Sequence, residues 1–273
     1  MASPDSAMLG CDSGDALRRG GPAARPHSSG APRTAASDRW PNQAKPSRSR
    51  RREDAHAPVR PLSRRFYARP ADVVARALLG RLIVRETRAT RLIGRIVEVE
   101  AYGGAGDPAS HAFRGETRRN RTMFGPPGHA YIYFTYGMHH CLNVVTGEGG
   151  VASAVLIRAL EPVAGLASMA RRRGAMARER LARGPGCVAR AMGLSAADDG
   201  ADLTCGPLWI AALPPRRGGL RVSRSARIGI RRALNRRWRF YLAGHPCVSA
   251  APRRAGAPER AVTPPLTLPR RLP

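Results

Sequence analysis

Lysine is almost absent from this chain, with Lys45 its single representative. Without lysines in the body of the chain, no side-chain amine is available there for Schiff-base chemistry. Cysteine is sparse as well: Cys11, Cys141, Cys187, Cys205 and Cys247 are odd in number, widely spaced, and contain no Cys-x-x-Cys pair. That spacing suggests neither a zinc site nor a disulfide framework. His139-His140-Cys141 has the residue types of a metal site. Neighbours on a strand point to opposite faces, however, so no metal and no other cofactor is expected. No run of 18 apolar residues occurs, which excludes a transmembrane helix, and the N-terminus lacks the continuous apolar stretch of a secretory signal; no membrane partner is expected. Acidic residues are also scarce, 19 against 47 basic ones.

What remains is a strongly cationic chain of 273 residues with a formal net charge of +28 and a pI near 11.7. An excess of this size favours phosphate backbones or anionic membranes as partners. The plainer reading is a genome that writes arginine wherever a surface needs charge. The length suffices for one large domain or two small ones with a real core. Residues 1–57 are rich in Arg, Pro, Ser, Gly and Ala, lack apolar periodicity, and close on Arg48-Ser49-Arg50-Arg51-Arg52. They read as a disordered basic tail, as does the Pro/Arg-rich stretch 252–273. The Arg/Ser/Ala content of the first tail would suit an organellar transit peptide, but its six acidic residues argue against one.

Residues 58–251 form the expected globular unit. A helix is expected to start at Arg69-Pro70-Ala71-Asp72 and stop at Gly80, burying Val73, Val74, Ala77 and Leu78. Leu82–Val84 and Leu92–Glu100 read as strands. Residues 103–128 form a long loop rich in Gly, Arg and Pro, and such loops are more often functional than decorative. Ala130–Thr135 and Met138–Val145 pattern as a hairpin turning at Gly137, and Ala152–Ile157 as another strand. Helices are expected from Pro162 to about Arg180 and over Cys187–Met192, and late strands at Leu208–Ala212, Ala226–Ile230 and Trp238–Ala243. Strands and helices without strict alternation indicate an α+β fold, a single mixed domain on a curved antiparallel sheet.

Chemistry concentrates between Glu98 and Asn143. Glu98, Glu100 and Tyr102 are spaced by two and share one strand face, which puts the carboxylates ~6.6 Å apart along the strand. A solvated, charged face is the plain reading. A carboxylate in a basic groove weakens phosphate binding, which favours a working role instead. Tyr131 and Tyr133 share a face and Tyr136 sits at the turn. Core packing accounts for such rings as well as base stacking does. A ring exposed at a hairpin tip suits a wedge between stacked bases, and one deeper in the sheet suits an extruded base. Arg114, Arg118, Arg119 and Arg121 form a run suited to phosphate contacts, with a merely solvated run as the alternative.

Several segments occur in a telling order: Arg95-Ile96-Val97-Glu98-Val99-Glu100-Ala101-Tyr102, Ser110-His111, Arg119-Asn120-Arg121-Thr122-Met123-Phe124, Tyr133-Phe134-Thr135-Tyr136-Gly137-Met138 and Leu156-Ile157-Arg158-Ala159-Leu160-Glu161-Pro162. Arg227-Ile228-Gly229-Ile230 and Trp238-Arg239-Phe240-Tyr241 follow. Together, over roughly Phe66 to Ser249, the chain resembles the alkyladenine (3-methyladenine) DNA glycosylase family. The likeness departs from the family at Arg237, where proline is common, and in the two tails. The resemblance implies a curved antiparallel sheet with a protruding β-hairpin. The implied activity is removal of alkylated or deaminated purines from double-stranded DNA in base excision repair. It also implies roles. Glu100 activates the attacking water, which Arg158 and the Ile228 main chain help to hold. Tyr102, His111 and Tyr133 line the base pocket. Asn143 clashes with the exocyclic amine of normal guanine. Tyr136 fills the gap in the duplex, with Met138 beside it. Glu98 is left as a strand-face or supporting charge, and Tyr131 returns to the core.

Two other classes compete with this reading: a non-catalytic nucleic-acid-binding protein, and an enzyme of another class such as a nuclease or a formyl-transfer relative. A nuclease would call for metal-binding carboxylate clusters, and the sequence has none. A monomer in the cytoplasm of a prokaryote, associated with the nucleoid, is expected. The lysine deficit makes the expected enzyme monofunctional, leaving an intact abasic site. Borohydride should therefore trap no covalent protein–DNA adduct during base release, and a trapped adduct would refute this.

Overall fold

The computed structural model describes residues 60–135, 137–212 and 219–249. The tails expected over 1–57 and 252–273 lie outside the described residues, as does Tyr136. Nine strands join in one antiparallel sheet. They are β1 (Arg60–Pro61), β2 (Leu82–Glu86), β3 (Arg91–Tyr102), β4 (Ala130–Thr135), β5 (His139–Thr146), β6 (Ser153–Ala164), β7 (Leu208–Ala212), β8 (Val222–Ser225) and β9 (Arg239–Leu242). The path runs β1-β7-β2-β3-β6-β5-β4, with β8 on β9 and β9 on β3. The helices are α1 (Arg64–Tyr67), α2 (Ala71–Leu78), α3 (Leu166–Arg173) and α4 (Pro185–Met192). None of the described helices is long and apolar enough to cross a membrane.

The 12-residue strand β3 organises the sheet. On one side it pairs with β6 along most of its length. On the other side its first half pairs with β2 and its second half, Glu98–Glu100, pairs with β9. Register shifts at Ile93/Gly94 and around Glu98 mark bulges, which bend and twist a strand and curl the sheet. One consequence is local: Ile96 and Val97 both reach the main core, after which Val99 and Ala101 continue on that face. Glu98, Glu100 and Tyr102 then share the opposite face, as their spacing predicts.

The core face is covered by helices. Val74 and Leu78 of α2, Met169 of α3, and Val188 and Met192 of α4 pack with Ile96, Leu142, Ile157 and Leu160 from the sheet. Helix α4 begins with Pro185 in its first turn and ends at Gly193, whose φ of 67° lets its N–H return to the carbonyls of Ala189 and Arg190. A second, smaller cluster holds Ala112, Met123, Tyr131, Val145, Ala152 and Ala154, with Tyr102 and Tyr133 against it. It lies on the face that carries the carboxylates.

Four expectations need correction. Val73 of α2 is exposed, and Ala71 and Ala75 are buried instead, because the buried stripe is rotated by one position. The helix expected over 162–180 shrinks to Leu166–Arg173, since β6 runs on to Ala164; Pro162 is tolerated there beside the bulge opposite Gly94. Ala226–Ile230 is not a strand: the strand is Val222–Ser225, and Gly229 at φ 77° breaks extended backbone beyond it. Of the two readings of Glu98, the solvated strand-face charge falls, because Glu98 is fully buried against Arg158 as a supporting charge. The hairpin pairing itself is present, with Thr135 opposite His139 and Tyr131 opposite Asn143.

Gly128 sits at φ 83°, and a Cβ there would lie 2.8 Å from the Tyr67 ring. Both strain and overlap oppose a side chain. Gly128→Ala is expected to lower stability by about 1–3 kcal/mol, read as a lower urea midpoint with an unchanged slope.

Candidate active site

The face opposite the helices carries a cavity of about 390 Å³. Its lining includes Tyr102 at the end of β3, His111 in the long loop, Tyr133, Cys141 and Asn143 on the β4–β5 hairpin, Pro185 at the start of α4, and Ile228 to Arg232 in the loop after β8. Leu156 and Arg158 of β6 form part of its floor. Volume and mixed aromatic–polar lining fall in the range of small-molecule sites.

Glu100 stands directly behind this wall, fully buried. Its Oε2 accepts from the Tyr102 hydroxyl at 2.8 Å and lies 3.2 Å from Arg158 Nη1. Its Oε1 accepts the Ile228 backbone N–H at 2.7 Å. Tyr102, Arg158 and Ile228 all line the cavity. A carboxylate has about four lone-pair sites. Among the described residues Oε1 receives one donor, so it retains capacity for a further proton-bearing group from the cavity side.

Glu98 anchors the arrangement from behind. Its Oε1 accepts from Arg158 Nε (3.0 Å), Arg239 Nε (2.7 Å) and Ser249 Oγ (2.8 Å), and its Oε2 from the Ser249 N–H (2.6 Å). Two carboxylates and two guanidinium groups thus balance in charge inside the protein. Burial alone would lower the pKa of Arg158, but the charges of Glu100 and Glu98 outweigh it and raise the pKa. The Tyr102 phenol is pushed well up, first by burial and then by the Glu100 charge, so it stays protonated and donates.

The hairpin supplies the facing wall. Tyr133 meets His111 edge-on, with ring centres 4.5 Å apart, and lies 5.5 Å from Tyr131. His111 Nδ1 is 3.0 Å from the Tyr131 hydroxyl. Asn143 is buried and donates Nδ2–H to the Tyr131 carbonyl at 3.1 Å, which fixes the orientation of its amide. Asn120, also buried, ties the long loop: it donates to the His111 and Gly115 carbonyls and accepts from the Thr117 N–H.

The residues expected to touch phosphates divide. Arg114 and Arg118 are exposed, and Arg121 is exposed with Glu116 3.3 Å away. Arg119 donates to the Phe134 carbonyl and lies over the Tyr133 ring, so it also braces the hairpin. Met138, at 70% exposure, is the most open large apolar side chain of the described residues. Among the described residues no three metal-ligating side chains converge.

The structure thus gathers Glu100, Tyr102, His111, Tyr133, Asn143, Arg158 and Ile228 at one cavity. Sequence reasoning missed Arg239 and Ser249, which hold Glu98, and Asp107 and Arg227, which pair behind Tyr102. Arg239 carried a signal, since it lies within a motif segment. Asp107 carried a weaker one, as a rare acid in the long loop.

A buried carboxylate behind an aromatic cavity in a cationic protein fits a base-excising class of enzyme. The profile of the methylpurine-DNA glycosylase family matches residues 65–246, and the chain belongs to that family. A relative from Methanoculleus marisnigri is 49% identical over 186 residues, covering 67% of this chain and 96% of the relative. One from Carboxydothermus hydrogenoformans is 46% identical over 188 residues (69% and 98%), and one from Streptomyces avermitilis 47% over 210 (73% and 95%). All three carry the name "Putative 3-methyladenine DNA glycosylase". The chain is accordingly a DNA glycosylase of base excision repair.

His111 has its pKa lowered from the ordinary 6.5, first by burial of the ring and then by the charge of Arg119. The unfolded chain therefore takes up this proton more readily than the folded one. Stability linked to His111 is complete above the unfolded value and falls as pH drops below it. His111→Gln should remove this loss: its unfolding midpoint, relative to wild type, should be higher at about pH 5 than at about pH 8. An equal difference at both values would refute the assignment.

Proposed function

We propose that this protein extrudes alkylated or deaminated purines from duplex DNA and hydrolyses their N-glycosidic bond, leaving an intact abasic site. The observation that carries this reading is the Glu100 carboxylate, held by Tyr102, Arg158 and the Ile228 N–H behind a tyrosine-walled cavity. A base in a duplex is shielded by its neighbours and must leave the stack before its bond to sugar can be attacked. Stacking on Tyr102 and Tyr133 would return ~1–3 kcal/mol per base towards the few lost on extrusion. Tyr136 and Met138 would occupy the vacated space, and Arg114, Arg118, Arg119 and Arg121 would meet phosphates.

Glu100 then acts as general base. The oxygen of a water against Oε1 attacks the sugar carbon, one water proton passes to the carboxylate, and the glycosidic electron pair leaves with the base. Before that transfer is complete, the negative charge of Glu100 stabilises the oxocarbenium character of the sugar. Arg158 holds the same carboxylate and faces the cavity, so it orients both base and water. A 3-alkylated adenine or 7-alkylated guanine is cationic and departs without an acid. Asn143, its amide fixed by the Tyr131 carbonyl, would refuse the exocyclic amine of guanine. The protein acts as a monomer on this reading.

Glu100→Gln tests the proposal. It keeps the shape and removes the base. Binding to alkylated duplex should persist while purine release, assayed in chelator, falls by ~10²-fold or more. Unchanged release would remove Glu100 from the role, and metal-dependent strand cutting without free purine in wild type would overturn the whole reading.

A further inference from the structure

Arg227 and Asp107 form a fully buried pair directly behind the cavity wall, and the mechanism above does not use it. Arg227 Nη1 and Nη2 reach the two carboxylate oxygens of Asp107 at 2.5 and 2.8 Å. Nη1 also donates to the Ala101 carbonyl at 3.0 Å. The guanidinium lies 4.7 Å from the centre of the Tyr102 ring and 5.5 Å from that of Trp238. Its Nε is buried without a hydrogen-bond partner. Asp107 in turn accepts the N–H groups of Gly103 and Ala109, at the start of the long loop, and Pro108 and Ala109 line the cavity. Burial opposes ionisation of Asp107, but the Arg227 hydrogen bonds and the Gly103 N–H more than reverse this and lower its pKa.

Stability alone gives little reason for this pair. Replacing a buried ion pair by apolar residues is often neutral or stabilising, and here one donor is left unsatisfied as well. Its placement gives a better one. Ala101 separates Glu100 from Tyr102, and Ile228 follows Arg227. A single side chain therefore governs both oxygens of Glu100: through the Tyr102 ring it sets the hydroxyl on Oε2, and through its own backbone it sets the Ile228 N–H on Oε1. The geometry points to Arg227 and Asp107 as positioning residues that hold the two donors on the Glu100 carboxylate. This rests on the glycosylase reading.

Asp107→Asn keeps the size of the side chain and removes its charge. Arg227→Lys keeps the buried charge paired but loses the two-pronged contact and the bond to Ala101. Glu161→Gln is the control, because it breaks a half-buried pair with Arg95 on the same two strands, away from the cavity. Each variant is assayed for single-turnover purine release at saturating enzyme, for affinity to alkylated duplex, and for thermal unfolding. Release should fall about 10- to 100-fold in the first two variants, as for a misplacement of about 1 Å. DNA affinity should stay within about threefold, and Glu161→Gln should match wild type. A second readout follows the acid limb of the rate profile. The groups facing Glu100 are Tyr102 from β3, Arg158 from β6, Tyr133 from β4 and the Ile228 N–H; Glu98 and Arg239 lie behind Arg158. Loss of the Ile228 donor weakens the charged carboxylate, so the acid limb should move to higher pH. If Asp107→Asn does not fold, Arg227→Lys decides alone. Release and acid limb as in wild type would overturn the inference, as would a loss equal to that in Glu161→Gln. In that case Glu100→Gln would still be inactive beside an active wild type, and the glycosylase reading would stand.

Discussion

Arg158 lies between two buried carboxylates, and the site depends on that contact. Its Nε meets Glu98 at 3.0 Å and its Nη1 meets Glu100 at 3.2 Å. Removing one partner from a buried pair commonly costs about 3–5 kcal/mol, because the other charge is left uncompensated. The balance here needs all four members: Glu98, Glu100, Arg158 and Arg239. It also needs β6 and β9 to flank β3 on opposite sides, since Arg158 comes from one and Arg239 from the other. The curl of the sheet is therefore tied to the electrostatics of its inner face. Glu100 is held behind the cavity wall by groups from two strands, Tyr102 of β3 and Arg158 of β6, and by the Ile228 N–H of a loop.

That constraint explains how so cationic a protein holds two buried carboxylates beside its cavity. Positive charge at the surface serves encounter with a polyanion and is screened within about 10 Å at ordinary salt. Inside, the buried guanidinium groups beside the cavity each meet a carboxylate: Arg158 and Arg239 on Glu98, Arg227 on Asp107. The arginines thus do two different jobs. Arg114 and Arg118 face solvent, whereas Arg158, Arg227 and Arg239 are internal struts whose planar forks can satisfy two acceptors at once.

Much of this is legible in the sequence. The two-residue spacing of Glu98, Glu100 and Tyr102 put them on one face, and the strand and hairpin patterns located β3, β4, β5 and β7 to within a few residues. Local propensity failed where backbone geometry is set from a distance. Ala226–Ile230 has a strand-like composition, yet it is a loop, because Gly229 turns there and the Ile228 N–H is spent on Glu100 rather than on a neighbouring strand. Pro162 reads as a helix start, yet β6 carries it past the bulge in β3. Glu98 reads as a surface charge because sequence shows neither Arg239 nor Ser249, 141 and 151 residues away, arriving to satisfy it.

The sequence by itself determined the cationic character, the antiparallel α+β plan, the shared face of Glu98, Glu100 and Tyr102, and the family to which the chain belongs. These follow from composition, from the period-two alternation of a strand, and from short motifs in order. Only the tertiary structure decided that Glu100 stands directly behind the cavity wall and that Glu98 is sealed deeper, beyond Arg158. It alone brought Ile228, Arg227 and Asp107 onto the same few ångströms of β3. The reason is physical: burial and hydrogen-bond partnership are properties of contacts between distant segments, and no local pattern encodes which donor will reach a buried acceptor.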